Sequence, residues 1–337
     1  MTSLAVVILN YNGSELLQRF LPSVIQHSPH ARIVVVDNGS TDNSVDVVVS
    51  EFKVIELVRL PANLGFCGGY NQALKEIVAD RYLLLNSDVE VSEGWLEPLS
   101  MILDEFPLVA AVQPKILSYN NKGQFEYAGA AGGLIDSLGY PFCRGRLFYS
   151  VEEDNSQFND TKPIFWSSGA CMMIRSKLFH DLGGFDEDFF AHMEEIDLCW
   201  RLQRAGYGIY FSGASKVYHV GGGTLSSSNP RKTYLNFRNG LSLLYKNLPI
   251  AELIIKFPIR LMLDWVASLK FTLSGSWQDG LAVIKAHLHF FLRLQKEIAR
   301  RKKTAALGFK KSPYQYTGSI VWDFFILGRK KYDQLKP

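Results

Sequence analysis

Several common signatures are missing from the 337 residues. No Gly-x-Gly-x-x-Gly follows the first apolar run and no Gly-x4-Gly-Lys-Ser/Thr occurs anywhere, which excludes the usual dinucleotide and P-loop phosphate cradles. Cysteine is sparse: Cys67, Cys143, Cys171 and Cys199 stand far apart, with no Cys-x-x-Cys and no disulfide-framework spacing, so a reducing compartment is expected. The N-terminus carries no basic stretch or cleavage pattern, and Leu4–Leu9 is too short for a signal peptide, which suggests a cytoplasmic protein. Charge of one sign is also lacking. With 36 Lys and Arg against 33 Asp and Glu, the net charge of +3 leaves no dominant nucleic-acid footprint. The longest apolar run, from Ile250 to Leu269, fails as a membrane span because Glu252, Lys256, Arg260 and Asp264 recur along it, with Pro258 inside. There is no internal repeat and no low-complexity linker.

What is present is a globular composition, 47% hydrophobic and 20% charged. The length suits about two domains. Over residues 1–117 short apolar runs alternate with amphipathic stretches, the pattern of βαβ units: runs at 4–9, 31–36, 54–60, 81–86 and 110–116 read as strands. Residues 118–165 are Gly-rich and read as a long irregular loop facing a ligand. Strand and helix signals resume to about residue 231, and from 232 to 337 the chain reads as successive helices.

Polar clusters stand where the strands end, the edge at which open α/β sheets bind ligands. They are Asn10-Tyr11-Asn12-Gly13, Asp37-Asn38-Gly39-Ser40, Asn63-Leu64-Gly65-Phe66 and Asn86-Ser87-Asp88. Any one of them is an ordinary turn by composition; four along one edge suggest a site. Asp37 could grip a nucleoside. Asn86 and Asp88 offer paired oxygens for a hard divalent cation shared with a substrate's phosphates. Further on, Glu194, Glu195 and Asp197 crowd a helix start. Dipole compensation explains one or two acids there, but not the acidic run Asp186-Glu187 shortly before.

In this order, Val7–Asn12, Val35–Asp42, Asn63–Phe66, Leu85–Asp88, Gly169–Met173, Gly184–Glu187, Glu194–Arg201 and His219 resemble family 2 glycosyltransferases, in the branch of rhamnosyltransferase-like enzymes of surface-polysaccharide assembly. The resemblance covers about residues 4–245. It implies a glycosyltransferase A-type fold, a Rossmann-like mixed sheet with a helical C-terminal region. It also implies inverting transfer from a nucleoside diphosphate sugar to a saccharide or lipid-linked acceptor. Asn10, Tyr11, Asn12, Asp37, Asn38, Asn63, Gly65 and Asn86 would then line or shape the nucleotide site. Asp88, with His219, would hold Mg²⁺ or Mn²⁺. Glu195 would be the base, while Glu194, Asp197 and His192 would serve the acceptor site or support its loop. Two departures stand out: Asn86 replaces the first acid of the metal motif, and Glu195 is one methylene longer than the usual Asp. A non-catalytic nucleotide-sugar-binding module of the same fold is the alternative.

The C-terminal region adds a charge asymmetry. From Lys285 onward 13 Lys and Arg face 3 Asp and Glu, so this tail carries +10 and the rest of the chain −7. Apolar helical spacing ending in Arg300-Arg301-Lys302-Lys303 suggests an interfacial helix on the anionic inner face of the membrane. Packing on the body or a homodimer contact is the other use of such helices. His219 precedes a glycine run from Gly221 to Gly223, and His287 and His289 have no carboxylate near them in sequence.

Overall fold

The computed structural model describes residues 2–221, 229–309 and 311–335; the glycine run beyond Gly221 lies outside them. In chain order the first half comprises β1 (Leu4–Asn10), α1 (Ser14–His27), β2 (Arg32–Asp37), α2 (Ser44–Glu51), β3 (Glu56–Arg59), α3 (Gly65–Ala73), β4 (Arg81–Asn86), β5 (Val89–Val91), α4 (Glu97–Glu105) and β6 (Val109–Ser118). After it come the short strands β7 (Gly133–Ile135), β8 (Pro141–Cys143), β9 (Arg146–Leu147) and β10 (Ser150–Val151), then β11 (Thr161–Ile164), β12 (Cys171–Arg175), α5 (Ser176–Asp181), α6 (Glu194–Arg204) and β13 (Gly208–His219). Four helices close the chain: α7 (Pro230–Asn247), α8 (Ile250–Leu273), α9 (Trp277–Leu292) and α10 (Leu294–Ala305).

The main sheet runs β11-β13-β6-β12-β4-β1-β2-β3, with β5 on β13. β1 pairs in parallel with β2 and β4, whereas β12 is antiparallel to both β4 and β6. The sheet is therefore mixed. Its central strands β1, β2 and β4 are largely apolar because both faces are covered: Ala5, Val7, Val34 and Leu84 enter one core, while Val6, Ile8, Val35 and Leu85 enter the other with Leu17, Leu21 and Trp95. This stacking brings the carboxyl ends of β1, β2 and β4 to one edge.

Residues 118–165 are not one irregular loop. They contain the small antiparallel sheet β10-β9-β8-β7 and the edge strand β11. Phe142 and Leu147 of that sheet pack on Ile320 and Phe324 near the C-terminus. Strands of two or three residues are too short to show alternation. The apolar runs at 207–211 and 216–220 are one strand, β13, interrupted by an irregularity between Ser212 and Lys216.

The helical region shares the core of the sheet. Leu243, Leu244, Leu248 and Leu253 belong to the same apolar cluster as Tyr70 and Phe185. Helix α8 is turned inside out relative to its sequence pattern. Arg260 and Asp264 are buried and paired at 2.9 Å, and Asp264 also accepts from Tyr140 Oη at 2.9 Å. His287 Nε2 stands 3.2 Å from Asp264, which corrects its reading as a histidine without a carboxylate. Removing one member of a buried pair costs far more than removing an exposed one. Arg260→Ala is accordingly expected to lower unfolding free energy by about 3–5 kcal/mol in denaturant titration. Lys177→Ala, which breaks the exposed pair with Asp181, leaves the unfolding midpoint unchanged.

Candidate active site

The turn after β1 is built against the turn after β2. Asn12, at φ 51°, accepts from the Thr41 backbone N–H at 2.7 Å, and its own N–H donates to Ser40 Oγ at 2.9 Å. Asn38 is buried and likewise committed: its amide donates to Asn63 Oδ1 and to the Gly65 carbonyl, and its Oδ1 accepts from Leu64 N–H. Asn63 Oδ1 also accepts from Gly65 N–H at 2.9 Å. Asn12, Asn38 and Asn63 thus shape this edge through their side-chain oxygens, while Asn12 and Asn63 themselves stay exposed. Tyr11 is half exposed at the rim. Gly65 has φ +73°, and a methyl group there would meet the Phe190 ring at 2.8 Å. Phe66 N–H donates to the Phe190 carbonyl at 3.2 Å. The loop after β3 therefore leans directly on the loop before α6.

Asp88 and His219 face one another at 3.1 Å on the ends of neighbouring strands, and Asn86 Nδ2 lies 3.4 Å from the same His219 Nε2. On the other side His219 Nδ1 is 3.3 Å from Glu126, close but not aligned for a hydrogen bond. Burial opposes ionisation of Asp88, yet the hydrogen bond and charge of His219 outweigh it and hold the carboxyl below its usual range. Burial likewise opposes the His219 imidazolium, but Asp88 and Glu126 raise it to about 10. Glu126 was not singled out in the sequence because it lies far from any strand-end cluster and arrives through the folding of residues 118–165. Among the described residues no group of three or more His, Cys, Asp or Glu is arranged to hold a metal. A hard carboxylate oxygen beside an imidazole nitrogen nevertheless suits a divalent cation completed by phosphate oxygens, once the imidazolium gives up its proton.

The Glu194–Glu195 pair opens α6. The segment before it is strained: Phe190, His192 and Met193 all have φ between 66° and 72°. Asn239 of α7 holds it, donating to the carbonyls of Phe189, Ala191 and His192 at 2.8 to 3.1 Å. Neighbouring Arg238 donates to the carbonyls of Asp188 and Phe189. Neither residue was foreseen; an adjacent Arg-Asn pair beside the leucines of α7 was the available signal. Asp197 is fully buried and accepts from Arg201, Lys246 and Asn247 at 2.8 to 3.0 Å. Burial alone would raise its carboxyl, but Lys246 and Arg201 drive it well below its usual range. It supports the loop and has no side-chain oxygen left for an acceptor. Arg201 continues the chain of contacts to the carbonyls of Leu182 and Gly184.

Among the described residues eleven buried side-chain polar atoms lack a hydrogen-bond partner, and six of them belong to Asn10, Asp37, His192, Glu194, Glu195 and His219. Unsatisfied buried groups are rare in folded proteins and call for an explanation. Six of the eleven thus fall on residues of the candidate site. Asn86 N–H donates to the Ala170 carbonyl, and a methyl group on adjacent Gly169 would lie 4.0 Å from Glu195 Cβ, so the base candidate sits beside the end of β4. Burial pushes the Glu195 carboxyl up to about 7. Burial and the neighbouring Glu195 raise Glu194 further. Burial, aided by the charge of Lys232, lowers His192 to about 4, which keeps its imidazole neutral.

Residues 5–183 match the glycosyl transferase family 2 model, more than half of the chain. The chain is a family 2 glycosyltransferase. The matched span ends before Glu194, so the base candidate lies outside it. A Mycobacterium tuberculosis protein, N-acetylglucosaminyl-diphospho-decaprenol L-rhamnosyltransferase, is 28% identical to this glycosyltransferase over 234 residues, 64% of this chain and 76% of its own. The low-salt glycan biosynthesis hexosyltransferase Agl10 of Haloferax volcanii is 27% identical over 61% of this chain and 63% of its own. Among solved structures, residues 1–349 of S. aureus TarS with UDP-GlcNAc superpose at a TM-score of 0.56 and 16% identity, over 90% of this chain and 83% of that one. GalNAc-T7 with UDP, GalNAc and Mn²⁺ does so at 0.56 and 16% over 73% and 48%. Both share the fold of this glycosyltransferase.

If Asn239 sets the position of Glu194 and Glu195, its loss falls on turnover. Asn239→Leu is expected to lower kcat roughly 10–100-fold while donor affinity, read by calorimetry, stays within about threefold. A variant with normal kcat would show that the loop keeps its shape without Asn239.

Proposed function

We propose that the protein transfers a glycosyl group, with inversion, from a nucleoside diphosphate sugar to a saccharide or lipid-linked acceptor of cell-surface polysaccharide assembly, working at the inner membrane face. The observation that carries this reading is Glu195 Oε2, a buried carboxylate oxygen without a partner, on a carboxyl raised to about 7 beside the end of β4. The named Mycobacterium relative supports a lipid-linked acceptor, and the structures with UDP, UDP-GlcNAc and Mn²⁺ support the donor class and the cation.

In this mechanism Asp37 Oδ1, buried and unpartnered, accepts a hydrogen bond from the nucleoside, and Asn10 Oδ1 lies on the same edge. Asp88 and His219 would hold Mg²⁺ or Mn²⁺, which when bound offsets the charge of the diphosphate. Glu195 takes the proton from the acceptor hydroxyl as that oxygen bonds to the anomeric carbon. The bond from that carbon to the diphosphate oxygen breaks on the opposite face, and the electron pair leaves with the diphosphate. The neutral His192 offers an unpartnered Nε2 for orienting a hydroxyl. Glu194, which burial and the neighbouring Glu195 raise well above the usual carboxylate range, disfavours a second negative charge on the pair.

A base must be ionised to act, so kcat/KM should rise with pH through an apparent pKa near 7. In Glu195→Gln that limb should vanish and turnover should fall roughly 10²–10⁴-fold with donor affinity nearly unchanged. A variant within about threefold of the parent rate would remove Glu195 from the role.

Chelator should abolish transfer by the parent, with added Mn²⁺ or Mg²⁺ restoring it, and Asp88→Ala should lose metal-dependent donor binding and turnover together. Chelator-resistant transfer would exclude the cation. Thermal-shift screening of UDP-, dTDP- and GDP-sugars identifies the donor, because a ligand at a hundredfold excess over Kd stabilises by about 2.7 kcal/mol.

A further inference from the structure

We infer that α8, α9 and the turn at Trp322–Ile326 form an apolar face that inserts into the surface of a lipid bilayer, and that this face, not the 300–303 basic cluster, docks the enzyme. The inference deepens the membrane-surface reading above and rests on it.

The basic cluster is largely occupied within the protein. Arg300 pairs with Asp186 at 2.8 Å and with Glu297 at 2.9 Å, and Arg301 donates to the Tyr245 carbonyl and lies over the Phe309 ring. Arg293 and Lys296 are drawn to Asp188. Of the four clustered cations only Lys302 and Lys303 are exposed. The expected patch of four free cations is thus reduced to two, because Asp186 takes Arg300 and Arg301 is held at Tyr245.

The inverted α8 supplies the alternative. From Ile254 to Leu269 every exposed side chain of the helix is apolar, including Ile255, Met262, Trp265 and Val266, each more than half exposed. Its charged residues in that stretch point inward or sideways: Arg260 and Asp264 are buried, and Lys256 is half-buried against Glu252. A water-soluble surface helix has the opposite arrangement. Leu281, Ile284, Leu288 and Leu292 extend the exposed apolar surface along α9, the packing neighbour of α8. The Lys270 ammonium, 4.2 Å from the Phe325 ring, connects α8 to the turn that exposes Trp322 and Ile326.

The chemistry of this face selects lipid over a protein partner. Protein interfaces carry about one hydrogen bond per 100–200 Å², and the exposed side of α8 from Ile254 to Leu269 has no side-chain donor or acceptor apart from the Trp265 indole. Acyl chains need none, and exposed Trp265, Trp277 and Trp322 suit the headgroup boundary. No acidic side chain of α8 or α9 is exposed, whereas Lys270 and Lys285 are, which fits anionic headgroups. No helix among the described residues is long and apolar enough to cross a membrane, so the helices lie in the interface.

The test is sedimentation of the full chain with phosphatidylcholine vesicles containing phosphatidylglycerol, with tryptophan emission recorded in parallel. The parent should bind, keep most of its binding in high salt and shift its emission to the blue. The triple variant Ile255→Glu, Met262→Glu, Leu269→Glu should bind roughly tenfold or more weakly, while Lys302→Glu, Lys303→Glu should sediment nearly as the parent does. Both should transfer normally to a water-soluble acceptor. Vesicle binding unchanged in the triple variant, complete release of the parent by salt, or a parent dimer that the triple variant dissolves without any vesicle binding would each overturn the inference. Failure of the parent to transfer sugar at all would sink the functional reading and leave the vesicle result standing.

Discussion

A buried ion network fixes where the chemistry can occur. Asp197, on the first turn of α6, accepts from Arg201 and Lys246; Lys246 also reaches Asp186 at 2.6 Å; and Asp186 is shared with Arg300 of α10. Four elements meet there: α6, α7, α10 and the loop at 186–190. Each charge is costly to bury alone and tolerable only in company. The start of α6 is consequently pinned by groups that cannot drift apart without exposing an uncompensated charge. The strained backbone at Phe190, His192 and Met193 persists because this network and Asn239 over-determine it.

The same rigidity explains the electrostatics of the Glu pair. Glu194 and Glu195 sit one turn from a carboxylate that is fully compensated, yet they receive no cation themselves, so burial dominates their protonation. Two carboxyl groups side by side in a low-dielectric position, both raised and Glu195 to about 7, form an arrangement that a solvated helix N-terminus would not sustain. Asp88 shows the converse. It is almost as buried, but His219 compensates it and it stays ionised. Neighbouring carboxylates thus differ in protonation because of their partners.

The sheet and the strand-end edge were readable in the sequence because local alternation and turn chemistry encode them. β1, β2 and β4 each show a buried apolar run ending in Asn or Asp. The chemical identity of the edge was readable too, but the division of labour within it was not. Asn12, Asn38 and Asn63 each brace a turn as well as standing at that edge, because an amide side chain in a turn readily finds backbone partners. Glu126 and Asn239 stand well beyond the motifs that precede them, Asp88 and His219, and reach the site through contacts that no local pattern announces. The orientation of α8 is hidden from the sequence for a related reason. A charged stripe on an apolar helix is ordinarily its wet side, and only the carboxylate–guanidinium–imidazole cluster formed with α9 and Tyr140 makes it the dry one.

Helix α7 blurs the division between an enzyme body and an appended tail. Its residues Asn239 and Lys246 hold the loop and helix that carry Glu195, and its leucines complete the core under the sheet. The helical third of the chain is therefore no interchangeable module. Recombination that joins residues 1–231 to a foreign C-terminal segment would strip Asp186 of Lys246 and Arg300 and leave Asp197 with Arg201 alone. Exchange of the whole region would therefore have to be matched by substitutions in the loop at 186–190 and at the start of α6.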